Sequence, residues 1–190
     1  MKLPPVILAS ASPRRAELLR ELGVEFDVLH SSASEVHHEQ LTAGELCQIN
    51  AYRKARAIAK KRPTALVMGA DTLVYLGTQL FGKPADLADA GQMLMKLQGR
   101  THQVVTGVCL LHLRGHRESL FAVTTDVTFQ TLTTEQIVQY LSKINPLDKA
   151  GAYAIQDHGE LIVAEISGSF SNVVGLPMEK LGEELPRMLG

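Results

Sequence analysis

The sequence predicts an α/β fold, a mixed sheet flanked by helices. Short apolar or alternating runs of strand length are interleaved with longer amphipathic segments, and most of the latter open on a capping residue. The alternation runs through the chain without an internal repeat or a low-complexity linker. Val6, Ile7 and Leu8 read as a strand. Ser12 then caps a helix whose first position is Pro13, where the missing N–H costs nothing, and Gly23 ends it. Residues 24–29 alternate as a strand, and 30–41 form a polar loop. Thr42 with Glu45 three residues on is a capping box opening a helix that runs to Lys61. Residues 65–70 form an apolar strand ending at Asp71, and 73–81 a hairpin about Gly77. Asp86 caps a helix running to Gln98 and stopped by Gly99. Residues 104–113 and 120–129 read as a hairpin turning at Gly115. Thr133 with Gln136 is a second capping box, and its short helix ends before Pro146. Residues 153–156, 161–166 and 170–174 read as short strands, and Pro177 begins the terminal helix.

At 190 residues the chain fits one domain, or one domain with two lobes, and is long enough to bury a core. Its 45% hydrophobic and 21% charged residues describe a globular protein. A net charge of −1 argues against a broad basic face for nucleic acid, which would need clustered Lys and Arg. No apolar run approaches a membrane span, and the N-terminus lacks a signal-sequence pattern, so a cytoplasmic protein is expected. Cys47 and Cys109 form no CxxC and read as packing residues.

The segment from Leu8 to Arg15, Leu-Ala-Ser-Ala-Ser-Pro-Arg-Arg, looks built for phosphate. A helix N-terminus presents unbonded N–H groups and attracts anions. Arg14 and Arg15 in the first turn oppose the helix dipole unless an anion is expected, and guanidinium groups fork onto phosphate oxygens. The plainer alternative is a capped helix with solvated arginines. Asp71, in Gly69-Ala-Asp-Thr72, follows an apolar strand, where open α/β sheets place ligands, and is either a metal ligand, a proton acceptor or a turn residue. Lys54 lies within the buried stripe of its helix, so it either snorkels or pairs with a carboxylate or an anionic ligand. Lys83, held extended before Pro84, is a loop lysine whose ammonium has a defined place. His37, His38 and Glu39 read as a solvated loop rather than a metal site. Met93 and Met95 with Leu94 and Leu97 read as helix core. The segment 100–102 either binds phosphate or is a polar turn.

Taken together, Leu8 to Arg15, Gly69-Ala-Asp-Thr72, Gly82-Lys-Pro84, Gly99-Arg-Thr-His102 with Thr106-Gly107, Asp148 to Gln156 and Asn172-Val-Val-Gly-Leu-Pro177 resemble the Maf nucleoside triphosphate pyrophosphatases nearly end to end. The resemblance implies an inosine-triphosphatase-like fold, an elongated mixed sheet in two lobes with the nucleotide in the cleft between them. It implies hydrolysis of a nucleoside triphosphate to monophosphate and pyrophosphate with a divalent cation, magnesium or alternatively manganese, and a homodimer. Asp71 would be the proton acceptor, and Glu35 with Asp71 the metal ligands. Ser10, Ser12, Arg15, Lys54 and Lys83 would hold the phosphates. Arg14, Thr72 and Gln156 match the dTTP/UTP subgroup, whereas the 7-methylguanosine triphosphate subgroup carries Trp, Gln and Glu. A Gln amide suits the edge of uracil or thymine, since it donates to a carbonyl and accepts from N3–H. Ile49-Asn50-Ala51 departs from the family's usual Arg-Leu-Ala, and Asp157-His158 from the glycine that usually follows Gln156. The competing readings are a pyrophosphatase of another base preference, a general phosphatase releasing orthophosphate, and a non-catalytic nucleotide-binding regulator of septum formation. An enzyme of this kind would serve nucleotide house-cleaning.

Overall fold

The computed structural model describes residues 3–38 and 40–190. β1 (Val6–Leu8), α1 (Pro13–Glu21), β2 (Phe26–Val28) and α2 (Ala43–Ala59) lead to β3 (Leu66–Leu76), which turns back into β4 (Gln79–Phe81). α3 (Leu87–Leu97), β5 (Thr101–His112), β6 (Arg117–Phe129) and α4 (Thr134–Leu141) follow. After two short 3₁₀ turns come β7 (Val163–Ser167), α5 (Phe170–Val174) and α6 (Met178–Leu189). The strand order is β2-β1-β3-β5-β6-β7, with β4 paired to β3. β1 is parallel to both β2 and β3, whereas β3–β4 and β6–β7 are antiparallel, which makes the sheet mixed as the sequence predicts. Among the described residues no helix is long and apolar enough to cross a membrane.

The chain divides into two compact units. One comprises Met1–Thr72, Thr106–Val123 and Gly175–Gly190, the other Leu73–Val105 and Thr124–Val174. In the first, side chains of β3 alternate between two faces, as a period of two demands. Leu66, Met68 and Ala70 pack with Val108 and Leu110 against Ala16 and Leu19 of α1 and Leu181, Leu185 and Met188 of α6. Val67 points the other way, with Cys109 and Leu111, onto Ala51, Ala55, Ile58 and Ala59 of α2. The core of the second unit gathers Ala90, Leu94 and Leu97 of α3, Ile137 and Tyr140 of α4, Val127 and Phe129 of β6, and Tyr153 with Ile155.

Both capping boxes form. The Thr42 and Thr133 hydroxyls accept from the N–H groups of Glu45 and Gln136, whose side chains accept from the cap N–H groups in return. Asp86 likewise caps α3 through the N–H of Asp89. Cys47 and Cys109 are buried and free, and burial raises the Cys109 thiol to about 12.

Several expectations are corrected. Asp71 does not end its strand, because β3 continues to Leu76 to pair with β4. Residues 153–156 are not a strand: the buried Tyr140 hydroxyl donates to Ala154 O and accepts from Ala154 N–H, both at 3.1 Å, and so replaces a strand partner. Residues 170–174 are helical, since Ser169 Oγ accepts from the N–H of Asn172 and starts a turn. Five residues do not separate the two periodicities. The final strand is shifted to Val163–Ser167 behind a 3₁₀ turn. Met95 is 44% exposed and is not core, because α3 buries only the stripe through Ala90, Leu94 and Leu97.

Candidate active site

The first unit concentrates the polar chemistry on β3. Gly69 and Asp71, two residues apart, share the face covered by α2. A β-carbon at Gly69 would overlap the Ala51 carbonyl oxygen and lie 2.8 Å from the Ala55 nitrogen. At Gly107 of β5 one would overlap the Cys47 carbonyl and lie 2.7 Å from the Gln48 nitrogen. The two glycines let the α2 backbone lie directly on the sheet. Asn50 and Lys54, neighbours at i and i+4 on that helix, are thereby brought over Asp71.

Asp71 is 4% exposed, and each of its oxygens accepts a hydrogen bond. Lys54 Nζ donates to its Oδ1 at 2.6 Å and Asn50 Nδ2 to its Oδ2 at 3.1 Å. The same Lys54 ammonium reaches Glu35 Oε1 at 2.7 Å, so one cation lies between two carboxylates. Of the two sequence readings of Lys54, pairing with a carboxylate is the one realised. The loop carrying Glu35 is tied to α2 on either side. Arg53 donates to the carbonyl and hydroxyl of Ser34, and Asn50 pairs with both backbone groups of Val36.

Thr72 points to the opposite face. Its hydroxyl accepts from Arg15 Nη2 at 2.9 Å and shares a hydrogen bond of 2.9 Å with Thr106 Oγ1. Arg15 Nη1 donates to Ala70 O at 2.9 Å and Ser10 Oγ at 3.3 Å, and Nε to Gly175 O at 2.9 Å. Four of its five N–H groups therefore tie the β1–α1 loop, β3 and the approach to α6 together. Burial lowers the guanidinium's pKa from its usual value, and the charge of Asp71 opposes that shift. Arg14 lies half-buried in the same first turn. Ser12 occupies the N-cap position, but its side chain makes no capping bond. Its N–H instead donates to the buried Ser10 Oγ at 3.2 Å.

Other predicted residues lie in the second unit. Lys83 is exposed on the loop between β4 and α3. Gln156 is exposed in a turn and, with Lys143, Asn145, Lys149 and Asp157, lines a polar hollow of about 570 Å³. The segment before it is anchored by Lys149, whose Nζ donates to Asn145 O at 2.7 Å and Asp148 Oδ1 at 2.8 Å. His102 is not a turn residue. It lies within β5, 1% exposed, with Nε2 2.8 Å from the Tyr153 hydroxyl and its ring edge-on to Phe129 and Tyr153. His37 and His38 are exposed in the loop before α2, and Glu39 lies outside the described residues.

Sequence reasoning missed Asn50 as a member of the Asp71 cluster, although its spacing from Lys54 places both on one helix face. It gave no role to Thr106, which stood within a family-like block but is joined to Thr72 only by the fold.

Fold and site define an α/β protein with a charge-dense centre where a helix lies directly on a sheet, next to a second helix that opens on two arginines. The Maf-like protein family model matches residues 5–188, and the chain belongs to that family. It is 45% identical over 186 residues to the dTTP/UTP pyrophosphatase of Desulforamulus reducens, spanning 98% of this chain and 97% of that protein. The dTTP/UTP pyrophosphatase of Symbiobacterium thermophilum is 46% identical over 175 residues, 92% of this chain and 89% of the relative. That of Myxococcus xanthus is 45% identical over 188 residues, 95% and 94% of the two.

Proposed function

We propose that the protein is a hydrolase that cleaves dTTP and UTP between the α- and β-phosphates, releasing nucleoside monophosphate and pyrophosphate. The carrying observation is the buried Asp71 held between Lys54 and Asn50, in a chain similar over nearly its whole length to proteins named for that activity. A water oxygen bonds to the α-phosphorus, the bond to the bridging oxygen breaks, pyrophosphate leaves, and the water proton passes to Asp71. Charge grows on the transferred and leaving oxygens, so positioned cations supply most of the rate.

A carboxylate of ordinary pKa near ~4 is a weak base for water at neutral pH. A divalent cation, magnesium or manganese, suits the donor set, because oxygens of Glu35 and Asp71 already converge on one positive centre, the Lys54 ammonium. Bound there, it would acidify the water and offset phosphate charge. The residues contribute as follows in this reading. Asp71 accepts the proton, and Glu35 shares the cation. Ser10, Ser12, Arg14 and the uncapped start of α1 receive the phosphate tail, while Arg15 holds their loop against β3 and aims one remaining N–H. Lys54 and Lys83 add positive charge. Thr72 supports Arg15. Gln156 reads the pyrimidine edge, beside a hollow of a size that suits a nucleobase with its ribose. The cytoplasm, where nucleotides are made and spent, is the inferred place of action, and the clearing of unwanted pyrimidine triphosphates the inferred role.

The test is a product assay on the purified protein with magnesium, offering UTP, dTTP, CTP, GTP and 7-methylguanosine triphosphate. Pyrophosphate from UTP and dTTP supports the reading. Pyrophosphate mainly from another base overturns the assignment of Gln156, and orthophosphate overturns the reaction.

A further inference from the structure

We propose that Asn50 is a positioning residue which sets the Asp71 carboxylate and the Glu35 loop in register with one another. The inference rests on the reaction proposed above. Asn50 is 1% exposed, on the α2 face that lies against β3. Its amide orientation is determined by its neighbours. The Val36 N–H can only donate, so at 2.7 Å it must face Oδ1, and the NH₂ group is then turned toward two acceptors. One hydrogen goes to Val36 O at 3.2 Å and the other to Asp71 Oδ2 at 3.1 Å.

Two of these three bonds make the side chain behave like a strand neighbour of Val36, answering its N–H and its C=O together. The third fixes the carboxylate. With Lys54 on Oδ1 one turn further along the helix, both oxygens of Asp71 are held by donors from one rigid element, and the plane of the carboxylate is set. Glu35 directly precedes Val36, and Arg53 grips Ser34 on its other side. A shift of the loop therefore reaches Asp71 by two routes, the Asn50 amide and the Lys54 ammonium between Glu35 and Asp71, and of these the amide holds the loop backbone itself.

Two variants separate the arms of the amide. Asn50→Leu removes all three bonds. Asn50→Asp keeps an acceptor for the Val36 N–H but loses both donor bonds, to Val36 O and to Asp71, and sets a second carboxylate beside Asp71. Because Asn50 is buried behind Asp71 and acts through it, both should lower kcat about tenfold or more while KM for UTP stays within about threefold. Amide hydrogen exchange at Val36 should accelerate about tenfold or more in Asn50→Leu and stay near the wild-type rate in Asn50→Asp. A kcat within twofold of wild type in both variants, or unchanged Val36 exchange in Asn50→Leu, overturns the proposal. A wild-type protein that hydrolyses no triphosphate sinks the functional reading alone, and Val36 exchange still decides whether the tie exists.

Discussion

Each compact unit holds a loop that carries a candidate site residue, and each does so with one buried side chain that answers both backbone groups of a single loop residue. In the first unit Asn50 pairs with Val36, beside Glu35. In the second, Tyr140 pairs with Ala154, two residues before Gln156. The anchors differ in what else they reach. Asn50 has a third bond, to the Asp71 carboxylate, whereas the Tyr140 hydroxyl is used up on the loop. Burial raises Tyr140 to about 12, which keeps the hydroxyl neutral and able to donate and accept at once. The same device thus supports the proposed proton acceptor in one unit and only a loop conformation in the other. Damage to the first should appear in turnover, and damage to the second in stability.

The largest break in this comparison is Gly69→Ala. Its β-carbon meets helix backbone, not a movable side chain, so α2 must lift and carry Asn50 and Lys54 away from Asp71. A stability loss of about 3 kcal/mol and near-complete loss of turnover are expected, read by urea unfolding and pyrophosphate release. Tyr140→Phe comes next. It leaves the buried N–H and C=O of Ala154 unanswered and should cost about 2 kcal/mol, with kcat for UTP within a fewfold of wild type.

A pH series isolates the second unit further. Burial lowers His102 to about 4 from its ordinary 6.5, so between these values the unfolded chain binds the proton and the folded chain does not. Its contribution is complete above about 6.5 and is lost as the pH falls toward 4. Between pH 7 and pH 5 this amounts to about 2 kcal/mol. Urea unfolding of wild type against His102→Gln should show that this part of the slope disappears in the variant. The smallest stability effect belongs to Gln156→Glu, an exposed change expected to stay within about 0.5 kcal/mol. Its consequence lies in specificity, with UTP use falling about tenfold relative to the other triphosphates in a side-by-side assay.

Much of the scaffold was legible because its signals are local. The capping boxes at Thr42 and Thr133, the Asp86 cap and the turn at Gly77 depend on residues a few positions apart. The family resemblance also pointed to Asp71, Glu35 and Lys54, and the fold places the lysine ammonium within 2.7 Å of both carboxylates. What could not be read depends on distant backbone. Arg15 looked like a free phosphate ligand, yet two of its acceptors are the carbonyls of Ala70 and Gly175, and a carbonyl leaves no mark in a sequence. Asp71 and Thr72 are neighbours in one short block of the sequence. Strand alternation sends them to opposite faces, toward Lys54 and Arg15 respectively. Residues 153–156 have strand character, but a tyrosine hydroxyl and not a strand satisfies them.

In the proposed reaction the α2-covered face of β3 acts through Asp71. Pyrophosphate release from UTP by Asp71→Asn, compared with wild type while UTP binding is measured on the same samples, tests it most directly. The account predicts a fall of about a hundredfold or more in kcat with binding retained. Turnover by the variant equal to that of wild type would contradict it.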